Sequence, residues 1–113
     1  MSKITMNGKG SVTDISNIIS NGVLNSGLSC ELVESVQRTS GSFTMYVTVF
    51  EKYYMRASNR ASLTVIVTGI DDDICVDAIG SGGGQGAIFS FSWGAEEDFA
   101  GTVKKILKKN GFK

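Results

Sequence analysis

Phe43-Thr44-Met45-Tyr46-Val47-Thr48-Val49-Phe50-Glu51-Lys52-Tyr53-Tyr54 is followed, after a short polar break, by Ala61-Ser62-Leu63-Thr64-Val65-Ile66-Val67-Thr68. Both runs are rich in β-branched and aromatic residues and alternate with period two, the mark of strands. The first predicts a strand over 43–56. Phe43, Met45, Val47 and Val49 point one way. Thr44, Tyr46, Thr48, Phe50, Lys52 and Tyr54 point the other, so three aromatics at spacing four share that second face. Ala57-Ser58-Asn59-Arg60 closes a turn into the strand at 61–68, which sets Ala61, Leu63, Val65 and Val67 on one side.

The same signals extend in both directions. Residues 28–38 alternate, with Leu28, Cys30, Leu32 and Val36 on one face, and Thr39-Ser40-Gly41-Ser42 reads as a hairpin turn. Downstream, Gly69-Ile70-Asp71-Asp72-Asp73 turns into a strand at 74–79 that carries Ile74, Val76 and Ala78. A loop at Gly80-Ser81-Gly82-Gly83-Gly84-Gln85-Gly86 precedes a strand at 87–93 with Phe89, Phe91 and Trp93. A short edge strand is expected at 3–9.

Two segments switch to helical spacing. Over 11–26, Ile15, Ile18, Ile19 and Val23 form one stripe, Ser11 caps the start and Gly27 the end. Over 95–110, Phe99, Val103, Ile106 and Leu107 form another. Acids in its first turn and lysines in its last two complement the helix dipole. Asn110-Gly111-Phe112 fits a stop with Phe112 folded back. The expected order is β-α-β-β-β-β-β-α: one α+β domain over residues 1–113, an antiparallel meander of about six strands with both helices on its Val/Leu/Met face.

The 113 residues suffice for a single core, and at 42% hydrophobic with zero formal net charge nothing global points to nucleic acid or anionic lipid. There is no histidine, which removes the commonest general base and metal ligand, and no proline. The N-terminus lacks a signal-peptide apolar region, and no apolar run approaches a membrane span. A cytoplasmic location with reduced thiols is therefore expected. Cys30 and Cys75 read as small buried hydrophobes, with a disulfide between adjacent strands as the other reading.

No catalytic or metal-binding constellation stands out, and no cofactor is expected. Gly82-x-Gly84-x-x-Ala87 matches a dinucleotide-fingerprint variant, but a strand follows where that motif opens a helix. The loop then reads as a hairpin connection, an anion-binding nest or a lid. Asp71-Asp72-Asp73 lacks calcium-loop spacing and reads as a solvated turn. Glu51, among apolar neighbours, could pair with Arg56 or Arg60 at a polar ligand.

Phe50-Glu51-Lys52-Tyr53, Asn59-Arg60-Ala61-Ser62-Leu63, Ala78-Ile79-Gly80-Ser81-Gly82-Gly83-Gly84-Gln85-Gly86 and Glu96-Glu97-Asp98-Phe99 together carry a likeness. From about residue 43 onward the chain resembles a family of short proteins of unknown function from Gram-positive bacteria. That resemblance implies no catalytic residues. It does imply that the Asn59-Arg60 turn and the glycine loop form a shared site. The element order is also similar to a reduced helix-grip (START-like) arrangement, which implies an apolar ligand held between sheet and C-terminal helix.

These readings converge on a non-enzymatic binding module for a small apolar or amphipathic molecule. Its candidate contacts are Tyr46, Phe50, Glu51, Tyr54, Arg60, Gly82, Gly83 and Gly84. The alternative is a structural or interaction protein that forms a homodimer through its aromatic sheet face.

Overall fold

The computed structural model describes residues 2–26, 30–54, 59–82 and 100–113. Its elements are β1 (Ser2–Lys9), α1 (Val12–Leu24), β2 (Cys30–Ser40), β3 (Phe43–Tyr54), β4 (Asn59–Ile70), β5 (Asp73–Gly82) and a C-terminal helix, α2, described over residues 100–109. The fold is α+β, with a five-stranded antiparallel sheet and two helices. The sheet order is β1-β5-β4-β3-β2. Strands β2 to β5 form the expected meander, and β1 joins as an edge strand beside β5. The expected sixth strand at 87–93 and the start of the last helix with Phe99 lie outside the described residues.

Two-residue turns hold the hairpins in register. Gly41-Ser42 sets Ser40 opposite Phe43, and Asp71-Asp72 sets Ile70 opposite Asp73. Gly41 (φ 59°) and Asp71 (φ 55°) both occupy the left-handed region that such tight turns demand. Pairing runs without a break along β3–β4 and β4–β5, so side-chain parity is locked from strand to strand.

That locking corrects the expected orientation of β3. The inner face, toward the helices, carries Ile4 and Met6 from β1, Ile74, Val76 and Ala78 from β5, and Ala61, Leu63, Val65 and Val67 from β4. From β3 it takes Tyr46, Thr48 and Phe50, not Met45, Val47 and Val49. Thr48 pairs with Val65 and Phe50 with Leu63, so these residues must share the face of β4's buried set. A second correction concerns β2. The register shifts between Leu32 and Glu34, a bulge at Val33. One extra residue reverses the parity beyond it. Cys30 and Leu32 therefore lie on the inner face, while Val36, opposite Val47, lies on the outer one.

Helix α1 begins as the sequence predicts: the Ser11 hydroxyl accepts from the Asp14 N–H at 3.3 Å. Val12, Ile15, Ile19 and Val23 are its buried stripe, whereas Ile18 is exposed. The helix stops at Leu24, two residues short of the expected end at 26, so Asn25 and not the expected Gly27 is its C-cap. Both the Asn25 N–H and its side-chain amide donate to the Asn21 carbonyl. Val103 and Leu107 of α2 complete the core. Ile106 reaches α1 at Gly22, where an added Cβ would collide with its tip. After α2 the chain reverses at Gly111 (φ 84°), and the Phe112 N–H donates to the Leu107 carbonyl at 3.0 Å. Phe112 is buried against Gly8 of β1, and Lys113 exchanges two backbone hydrogen bonds with Asn7 (2.8 and 2.9 Å). The chain's end thus covers part of the β1 edge.

Candidate functional site

Both described helices pack on the inner face, where they bury the apolar side chains of the sheet. Phe50, Leu63, Ile19, Val23, Val103 and Leu107 are fully buried there. The sequence-predicted contacts are divided by this packing. Tyr46 and Phe50 point inward, Phe50 into the core and Tyr46 half-buried beside it. Glu51, the next residue along an extended strand, points to the outer face, half-buried and opposite Ser62 and Glu31. Gly82 ends β5 opposite Ala61. Tyr54 and Arg60 sit in the ladder opposite Asn59 and Tyr53, but their side chains, with Gly83 and Gly84, lie outside the described residues.

The outer face is read as rows across the strands. One runs Lys9, Asp73, Ile70, Phe43, Ser40; the next Asn7, Cys75, Thr68, Met45, Arg38; the third Thr5, Asp77, Ile66, Val47, Val36. The β1–β5 side of each row is polar, and the β4–β3 side is mostly apolar. Ile70 is 55% exposed and Phe43 37%.

At the turn end of this face lies an open hollow of about 450 Å³. Phe43, Thr68 and Ile70 frame one side, and Asn7, Asp73 and Cys75 the other. Gly8 and Gly69 line its floor. At its rim the Lys9 ammonium pairs with the Asp73 carboxylate, and Asp72 stands 4.0 Å away. The Asp73 hydrogen bond and the two acidic charges hold Lys9 above the usual lysine range. The Asp72 carbonyl also accepts the Gly10 N–H at 3.0 Å, so the acidic turn is tied to β1's end. On the next row but one, the Thr5 hydroxyl donates to Asp77 at 2.6 Å.

Sequence reasoning missed the hollow. Part of its signal was present: the Asp71-Asp72 turn alone sets Thr68 opposite Cys75 and Ile70 opposite Asp73. The placement of β1 and of Phe43 beside them was not readable locally.

Both cysteines are free. Cys30 on the inner side of β2 and Cys75 on the outer side of β5 are separated by two strands, roughly 14 Å of sheet, beyond the reach of a disulfide. Burial pushes the Cys30 thiol up, and Lys52 pulls it partly back. Burial and then Asp77 push the Cys75 thiol up, against Lys3. Less thiolate means slower alkylation. At pH 8.5, iodoacetamide should label both cysteines more slowly in native protein than in urea-unfolded protein, as read by intact mass. Because the folded state holds these protons more tightly, folding stability should also fall as pH rises through the ordinary thiol range toward the raised values. Equal labelling rates in the two states would refute the assignment.

Among the described residues, no group of three or more His, Cys, Asp or Glu could hold a metal ion. No described helix is long and apolar enough to cross a membrane.

The model of DUF6054, a family of unknown function, matches residues 1–111. The chain belongs to that family. No curated protein and no solved structure matches it. The DUF6054 match spans the sheet, both helices and the hollow together, so no part of the candidate site is an addition to the family's domain.

Proposed function

We propose that this DUF6054 domain is a non-enzymatic binding module for a small apolar or amphipathic molecule, held on the outer face of the sheet. The observation that carries the reading is the hollow. There, the exposed Phe43 and Ile70 flank a row of polar groups on β1 and β5. Its volume falls in the range of small-molecule sites, which pair apolar walls with a few oriented polar groups. Two large exposed apolar side chains on one face also form the kind of patch that marks a binding surface. Among the described residues Phe50 and Leu63 are fully buried under the helices, which favours the outer face for this reading. The cytoplasmic setting expected from the sequence would keep Cys75 at the hollow as a free thiol.

The neutral fluorophore N-phenyl-1-naphthylamine provides the test. The folded domain should enhance its emission saturably, and occupancy should slow alkylation of Cys75. Ile70→Glu should weaken binding about tenfold or more. As a surface change it should move stability by no more than about 0.5 kcal/mol. No saturable binding, or binding indifferent to Ile70→Glu, would refute the site.

A second reading, an interaction protein that forms homodimers, is favoured by a different observation at the sheet's edge.

A further inference from the structure

Strand β2 is the last strand of the sheet among the described residues, and it is exposed along almost its whole length. An open edge presents unpaired N–H and C=O groups. Hairpin geometry says which ones. The two-residue turn makes Ser40 and Phe43 a hydrogen-bonded pair, so alternation aims the backbone of Arg38, Val36 and Glu34 at β3. The backbone groups of Ser35 and Gln37 then point away from the sheet.

Two side-chain contacts agree with this. The Ser35 N–H donates to the carboxylate of its own neighbour Glu34 at 3.1 Å. The Gln37 carbonyl accepts from the guanidinium of its own neighbour Arg38 at 2.9 Å. Charged side chains thus cap the outward-facing backbone groups of β2 among the described residues. The two caps have opposite sign and lie symmetrically about Val36, two residues to either side.

We propose that the domain self-associates by pairing β2 with β2 of a second copy, antiparallel, about a two-fold axis at Val36. In that register Ser35 faces the second copy's Gln37. The N–H and C=O now capped by side chains would bond each other, about four backbone bonds in all. The released Glu34 carboxylate meets the second copy's Arg38, and the symmetry repeats the pair. These are non-hydrogen-bonded positions, where opposite side chains stand closest.

The neighbouring registers are disfavoured. Moving the axis two residues either way sets Glu34 against Glu34 or Arg38 against Arg38. Moving it one residue sets a charge against Val36. The bulge at Val33 ends the pairing just beyond Glu34. The result is an isologous dimer with one continuous sheet. The apolar outer row Ile66, Val47, Val36 would continue across the axis into the second copy.

Sedimentation equilibrium from about 10 μM to about 1 mM tests the proposal, with Glu34→Arg, Arg38→Glu and the double exchange. The wild-type chain should show a monomer–dimer equilibrium. Each single reversal sets like charges face to face twice and should weaken it about tenfold or more. The double exchange restores both pairs and should recover most of the loss, which a nonspecific contact would not do. A wild-type monomer at 1 mM, or a dimer indifferent to the single reversals, overturns the proposal. Since β2's edge lies apart from the hollow, N-phenyl-1-naphthylamine binding by these variants should match wild type. The two proposals therefore fail separately.

Discussion

Phe50→Ala is expected to destabilise the domain by about 3–5 kcal/mol, the range for deleting a large aromatic from a packed core. Phe50 has no exposed surface, and its ring shares the inner face with Leu63 across the β3–β4 ladder. Strand β3 lies second from the sheet's edge and is held by pairing on both sides, so the backbone has little freedom to collapse into the vacated space. A domain of this size commonly has about 5–15 kcal/mol in total, so the loss would be a large share of it. Urea unfolding followed by circular dichroism checks this, with a shifted midpoint at unchanged slope. Val47→Ala is the control. Val47 lies on the outer face of the same strand, half-buried, and should cost much less. A larger cost at Val47 than at Phe50 would mean that β3 presents its other face to the helices. A small cost at Phe50, with weakened fluorophore binding, would return that residue to a ligand site.

Phe112→Ala should cost about 3 kcal/mol, enough to lower Tm by at least about 10 °C. The residue stands next to the end of the chain, where truncation is ordinarily harmless. Here it is 3% exposed, with its ring laid on Gly8, where a Cβ would come within 2.7 Å of the ring atoms. The contact joins β1, the first strand, to the end of α2, so it closes the fold across nearly the whole chain. Two variants isolate the cause. Removing Lys113 alone deletes the two backbone bonds to Asn7 and leaves the ring, so it should cost about 1 kcal/mol. Gly8→Ala should be costly in the wild-type chain, because the ring is rigid and packed. It should be much less so once Phe112 is alanine, a coupling that thermal melts of the four variants measure. Strict additivity would show that Gly8 and Phe112 do not share this contact.

In β4 and β5 one face is consistently apolar and the turn between them is two residues long, so pattern and register agree locally. Both helices carry a three- to four-residue stripe, Ser11 caps as its type and position suggest, and Phe112 folds back as the Gly111 stop implies. In β3 the alternation itself was plain, but both faces carry apolar residues, so which one turns inward was not. Of the candidate site, the strand parity that separates Glu51 from Phe50 was readable. The Asn7–Cys75–Thr68 row was not, because it joins residues from both ends of the chain.

By itself, then, the sequence determined the class of fold, most of the element order, the Ser11 cap and the stop at Gly111. Propensity, period and turn chemistry act over a few residues and need no distant partner. The tertiary structure alone decided that Phe50 and Thr48 face the helices and that Val36 does not. It also decided that β1 lies against β5 with the chain's end over it. Burial is a property of the whole sheet: β3 takes its orientation from the ladder to β4, and a single bulge at Val33 reverses what lies beyond it.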